Sequence, residues 1–275
     1  MAISVNTNQG AMVALQTLSK TDRELQITQN RVSTGLKVST AKDNGAIWAI
    51  ANKMRSDVIA YDRVTESSER ASALVDTAIA AGESIMELLN EMKGKALAGS
   101  QAGLSASAQA ALAADFAQMR DQVTSIIANA SFDGANMVGA SPANALALGD
   151  AAGGNTITVS GANLSLAGTI VTVTGASVLT DATTSTTALG LVNTSITNLG
   201  TQLATWGAGA KRISTHKAFV SKLQDALNSG IGAMTDADLS KESAKLQALQ
   251  VKQQLGVQAL SIANQSAQTA LSLFR

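Results

Sequence analysis

The chemistry open to this chain is limited first by its nucleophiles, bases and metal ligands, and they are few. One histidine, His216, stands among Lys211, Arg212 and Lys217. A nucleophile–base pair or a metal centre needs a thiol, a second imidazole or converging carboxylates beside it, and the 275 residues contain no cysteine. His216 is therefore expected as a packed or exposed helix residue. Gly94-Lys95 lacks the preceding glycine and the following Ser or Thr of a phosphate-binding loop. Trp206-Gly-Ala-Gly-Ala-Lys211 is glycine-rich but falls inside a helical pattern, where close packing explains it. Asp236 and Asp238 sit where a helix should begin, with Thr235 placed to accept from the Asp238 amide, and capping accounts for them better than a bound cation. No catalytic residue, metal or cofactor is expected, and the chain does not read as an enzyme.

With no site to position, the elements have to explain themselves. Formal net charge is +0, which argues against nucleic acid as a partner, since that needs a basic face. Aromatics make up 3% and there is one proline, so anchors for a thick globular core are scarce. The first charged side chain is Lys20, so the N-terminus lacks the basic region of a secretory signal.

Both ends read as amphipathic helices. Near the N-terminus Ala11, Leu15, Leu18, Leu25, Val32 and Leu36 follow alternating steps of four and three, with Asp22 and Gln29 at intervening positions and Gly35 placed as a left-handed C-cap. From Thr235 onward Leu239, Leu246, Leu249, Leu260, Ala263, Ala267, Ala270 and Phe274 give a second seam, interrupted by Gln253 and Gly256. From Gln253 to Phe274 no side chain is charged, yet Gln, Asn and Ser punctuate the run too often for a membrane span, and no membrane insertion is expected. A lone helix with so narrow an apolar face is marginal in water, so the two ends are expected to pair with each other and then with neighbouring chains.

Between them, Asp43 or Asn44 can cap a long helix with a stripe through Ile50, Met54, Val58, Tyr61, Val64, Val75, Ile79, Met86 and Leu89. Ser105 starts another carrying Leu112, Phe116, Met119, Val123 and Ile126. At about residues 135–186 the composition turns to Gly, Ser, Thr and Val with a period of two, and strands are expected at Thr156–Val159 and at residues 169–174. Helix returns at Leu189 and is expected to break at residues 229–234. The fold class is mainly α with a small β insertion. It is expected as an elongated antiparallel helical hairpin or coiled coil, with paired terminal helices and a β-rich tip. Three segments follow: 1–40 with 235–275, 41–134 with 187–234, and 135–186.

Several stretches resemble one family. They are Gln29-Asn-Arg31-Val-Ser-Thr-Gly35, Ala41-Lys-Asp-Asn44 and Ser131-Phe-Asp-Gly134, then Asp236-Ala-Asp238 and Glu242-Ser-Ala-Lys-Leu246. Gln253-Gln-Leu-Gly-Val-Gln-Ala-Leu-Ser-Ile-Ala-Asn-Gln265 and Leu271-Ser-Leu-Phe-Arg275 complete the set. They fall in order at both ends, and the chain resembles bacterial flagellin, most closely the short alphaproteobacterial type.

The resemblance implies a structural subunit that polymerises with itself into the hollow filament of the bacterial flagellum, for swimming motility. It implies an extracellular location reached by flagellar type III export without a cleaved signal. The partners it implies besides further copies are the export apparatus, a cytosolic flagellin chaperone, and the filament cap and hook–filament junction proteins. The terminal segment would be an inner tube packed through Leu15, Leu18, Leu25, Val32, Leu246, Leu249, Leu260, Ala263 and Phe274. Gln254, Gln258, Ser261, Asn264 and Gln268 would line its channel. The second segment would be the rod and the third a small surface insertion, whose Ser and Thr density suits glycan attachment. The rod segment read by a vertebrate innate immune receptor is degenerate at Glu91, Gly94 and Lys95, which implies poor activation. The alternatives are a hook–filament junction protein and a monomeric type III-exported effector or adhesin.

Overall fold

Helix boundaries fall where a side chain can replace a missing backbone partner. The computed structural model describes residues 7–272, with side chains through residue 265. Its elements are α1 (Gln9–Thr34), α2 (Gly45–Gly99), α3 (Ala106–Asn129), β1 (Ala145–Leu148), β2 (Thr156–Val159), α4 (Ala182–Thr235) and α5 (Leu239–Ser272). Asn8 caps α1 by accepting from the Ala11 amide at 3.1 Å, Asn44 caps α2 through Ile47 at 3.1 Å, and Ser105 caps α3 through Ala108 at 3.2 Å. Gly35 ends α1 in the left-handed region, at φ 71°, with its amide on the Arg31 carbonyl, a conformation that favours glycine.

Two expectations about the last helices are corrected. α4 does not break at residues 229–234 but continues to Thr235. Gly230 lies against Met54 and Gly232 against the Asp236 carboxylate, so packing offsets the low helix propensity of glycine, about 1 kcal/mol each. Thr235 does not cap α5; its hydroxyl donates back to the Ile231 carbonyl at 2.8 Å. The cap is Asp238, whose Oδ1 accepts from the Ser240 and Lys241 amides at 3.0 and 3.1 Å.

The chain divides into two compact units, Met1–Ser56 with Ala226–Arg275, and Asp57–Asp225. The central unit, Asp57–Asp225, holds a closed core. On α2, Val64, Ser68, Ala71, Val75 and Ala78, then Ile85, Leu89, Met92 and Ala96, repeat by threes, fours and one seven and are all buried. From Ala71 onward they cluster with Phe116, Val123 and Ile127 of α3, and Val192, Leu199, Trp206 and Ile213 of α4. Trp206 is 0% exposed and donates its indole N–H to the Ser160 carbonyl at 2.9 Å, which satisfies its one polar atom. Trp48, in the other unit, is half-buried.

The sheet is one antiparallel hairpin, with Ala145 opposite Val159 and Leu148 opposite Thr156. Val159 seats over α4 at Gly209, where a Cβ would come within 2.7 Å of its side chain. The second expected strand, at residues 169–174, is corrected: this stretch pairs with no strand but is strapped to α4. Thr172 donates its amide to Ser195 Oγ and its hydroxyl to the Leu191 carbonyl, both at 2.9 Å. Val171 and Val173 are fully buried beneath it, so the alternation is that of a strap with one buried face. Strap and strand leave the same period-two pattern.

Candidate assembly surfaces

In the terminal unit α1 packs along α5. The cap Asn8 and, on α1, Ala11, Ala14, Leu18, Thr21, Leu25, Thr28 and Val32 turn inward, steps of three and four without a gap. From α5 come Glu242, Leu246, Leu249, Gln253, Gly256, Leu260 and Ala263. At one end the Asn8 amide donates to the Ala263 carbonyl at 2.7 Å. Further along, Leu18 rests on Gly256, where an added Cβ would stand 3.3 Å from the leucine. Gln253, an apparent break in the α5 seam, donates to Asp22 Oδ1, an apparent break in the other, at 2.8 Å. The interruptions meet each other.

At the far end Arg31 Nη1 and Glu242 Oε1 pair at 3.1 Å, with side chains 28% and 14% exposed. Thr28 Oγ1, Arg31 Nε and Glu242 Oε2 are buried there without a partner. A half-buried ion pair of this kind adds little net stability, but any slip of one helix past the other would strand both charges, so it fixes the stagger. The junction beyond is tied by backbone: Lys37 and Val38 amides both reach the Thr235 carbonyl, and the Ala237 amide reaches that of Gly35 at 2.9 Å.

The expected packing residues divide into three groups. Leu249 is buried, and Leu18, Leu25, Val32, Leu246, Leu260 and Ala263 are half-buried between the helices. Leu15 is 56% exposed, outside the α1–α5 contact, because the repeat runs through Ala14 and not through its larger neighbour. Phe274 lies outside the described residues. Missed in the sequence were Ala14, Thr21, Thr28 and Glu242, whose unbroken three–four spacing was the signal, and Arg31, which stands off that series.

Of the expected channel-lining residues, Gln254, Gln258, Ser261 and Asn264 are exposed, turned away from α1, and the side chain of Gln268 lies outside the described part. The same helices also expose large apolar side chains: Met12, Val13, Leu15 and Ile27 on α1, and Val251, Leu255, Val257 and Ile262 on α5, each 47–67% accessible. In the central unit Glu91 and Gly94 are exposed on α2, while Lys95 pairs with Asp115 of α3 at 2.6 Å. Among the described residues no cluster of three or more His, Cys, Asp or Glu could hold a metal, and no helix is long and apolar enough to cross a membrane.

Residues 5–141 match the bacterial flagellin N-terminal helical region, and residues 189–274 match the bacterial flagellin C-terminal helical region. The chain belongs to the bacterial flagellin family. Full-length relatives agree with this. Flagellin FljK of Caulobacter vibrioides is 45% identical over 272 residues, covering 99% of this chain and 98% of its own. Flagellin FljN of the same organism is 47% identical over the same length. A flagellin of Brucella melitensis is 39% identical over 281 residues, 99% of each. The crystal structure of Bacillus cereus flagellin shares the fold, with a TM-score of 0.50 at 22% identity, over 56% of this flagellin and 88% of that one.

Proposed function

We propose that this flagellin, a structural subunit of the flagellar filament, assembles by burying the outward apolar side chains of its terminal helices against those of neighbouring copies. The observation that carries the reading is the band of exposed large apolar residues on α1 and α5, Leu15, Leu255 and Ile262 among them. Each such side chain removed from water contributes roughly 1.5–3 kcal/mol, and the contacts repeat at every subunit. The role is structural and not catalytic. Residues 1–40 and 235–275 act as the inner tube, 41–134 and 187–234 as the rod, and 135–186 as a surface insertion open to glycosylation.

Gln254, Gln258, Ser261, Asn264 and Gln268 face the lumen of that tube. An uncharged hydrophilic wall offers unfolded chains of either charge little to adhere to, which suits export through the growing filament. Before export a cytosolic chaperone covers the terminal helices, and the type III apparatus accepts the chain. Outside, the filament cap and the hook–filament junction proteins meet the same helices. The exposed Glu91 and Gly94, and Lys95 held by Asp115, support weak signalling through the innate receptor in a reporter-cell assay.

The deciding experiment dissociates the protein with acid or heat, returns it to neutral pH with short filament seeds, and images the pellet. Tubes of uniform width are expected. Leu18→Asp or Leu260→Asp is expected to abolish them while the central unit stays folded by circular dichroism. A wild-type monomer that never sediments would refute the reading.

A further inference from the structure

The central unit carries a surface cleft that its own folding does not explain. Ala208, Lys211, Arg212, His216 and Phe219 of α4, with Ile157 of β2, line an open cavity of about 550 Å³. Its wall is largely apolar and its rim cationic. Phe219 is 57% exposed, and its ring centroid stands 6.3 Å from that of His216, whose Nε2 is buried without a hydrogen-bond partner. Arg212 donates to the Thr158 carbonyl at 3.1 Å, and neither it nor Lys211 has an acidic partner among the described residues.

α2 carries the complement. Glu83, Glu87 and Glu91 repeat every four residues along an exposed face, one turn apart on the same side of the helix, and none has a basic partner among the described residues. Lys95, one turn beyond Glu91, is drawn away to Asp115. Gly94 leaves open space where a Cβ would be, and Leu97 is 55% exposed beside it.

We propose that the α4 cleft of one copy receives the Glu83–Glu91 stripe on α2 of a second copy. The inference rests on the reading that the chain polymerises and names the residues of one contact. α2 and α4 run antiparallel within the unit, as the Lys217–Glu69 pair at 2.6 Å and the Gln224–Asp62 hydrogen bond at 2.7 Å require. Copies of the same polarity therefore present α4 antiparallel to the neighbour's α2. Lys211 and Thr215, four residues apart, then face Glu91 and Glu87, and Phe219 lies near Glu83. Inside one chain Thr215 stands level with Ala71, by the same pairings. Glu87 lies further along α2, so the two copies are offset by about 24 Å along the helix axis at 1.5 Å per residue. The two patches differ, so the contact is head-to-tail, and repeated without closure it makes a helical polymer.

Seeded assembly of four proteins tests this: wild type, Lys211→Glu/Thr215→Glu, Glu87→Lys/Glu91→Lys, and the combination of all four substitutions. The first pair sets acid against acid at both positions and the second sets base against Lys211, and each alone is expected to slow elongation by about tenfold or more, whereas the combination restores opposite charges and elongation. Phe219→Ser, which removes an exposed ring, is expected to slow elongation with unchanged melting. Wild-type rates in either double variant or in Phe219→Ser overturn the proposal, as does a combined variant that elongates no better than the doubles. Those outcomes leave the filament reading intact, because wild type still assembles. Failure of wild type to elongate removes the filament reading and the proposal with it.

Discussion

The two units are both built on long helices with three–four spacing, yet they spend their apolar residues in opposite directions. In the central unit the large side chains face inward: Trp206, Phe116, Ile85, Leu89 and Met92 are all at or below 1% exposure. In the terminal pair the inward positions alternate leucine and valine, at Leu18, Leu25, Val32, Leu249 and Leu260, with small or polar residues such as Ala14, Thr21, Thr28, Gln253 and Gly256. Among the described residues no apolar side chain of α1 is fully buried, and Leu249 at 3% is the one on α5. As many large apolar groups, Met12, Val13, Leu15, Leu255 and Ile262 among them, face out. Folding closes the core of one unit and leaves an apolar band exposed on the other. On the proposed reading, the exposure of the terminal helices belongs to the single chain and not to the filament.

The largest break in that contrast comes from Trp206→Ala. Removing a fully buried indole should cost the central unit about 3–5 kcal/mol, read in chemical denaturation, and leave amide exchange across α1 and α5 of the monomer unchanged. Next, Leu249→Ala should lower stability by about 2 kcal/mol, the low end for such a truncation because the seam beside it is small and can collapse. Its larger consequence is a higher critical concentration for seeded assembly, so a variant that assembles like wild type would break the contrast. Gly82→Ala tests the closed core from the other side. Its Cβ would meet Leu203 Cδ2 at 2.8 Å and Trp206 at 3.5 Å, and overpacking should cost about 1–3 kcal/mol, the low end if the leucine tip swings aside.

The smallest effect is a titration. Asp43 accepts from the Thr40 amide at 2.8 Å and from the Ser39 amide and both hydroxyls at 3.1 Å, and these bonds, that of Thr40 first, hold its carboxyl below the ordinary 3.8. A depressed folded value means the turn's contribution is complete above the unfolded value and is lost as pH falls through the folded one. Carbon-detected NMR of the Asp43 carboxyl should titrate below 3.8, with the amides of Ser39 and Thr40 shifting together.

The architecture was legible in the sequence where a large apolar residue marked the repeat, in the paired ends and the long α2, and where a cap or a period of two marked an element, at Ser105 and Thr156–Val159. It was obscured where small residues carried the packing. The α1 repeat runs through Ala14, Thr21 and Thr28, and Leu15 beside Ala14 pulls the pattern one residue out of register. The polar interruptions at Asp22 and Gln253 looked like defects because their partners are more than two hundred residues away in the chain. Residues 169–174 show the same limit: alternation reports one buried face, not what covers it. Ser229-Gly-Ile-Gly reads as a break by composition, but Met54 and Asp236 supply the contacts that keep it helical.

The placement of the two tryptophans has an optical consequence. Trp206 is sealed from solvent with its N–H occupied, so it should emit at the blue end and resist an aqueous quencher. Trp48, half-buried in the terminal unit, should emit further to the red and be quenched. The two emissions then report separately in unlabelled protein, and any disturbance of the blue one marks unfolding of the central unit.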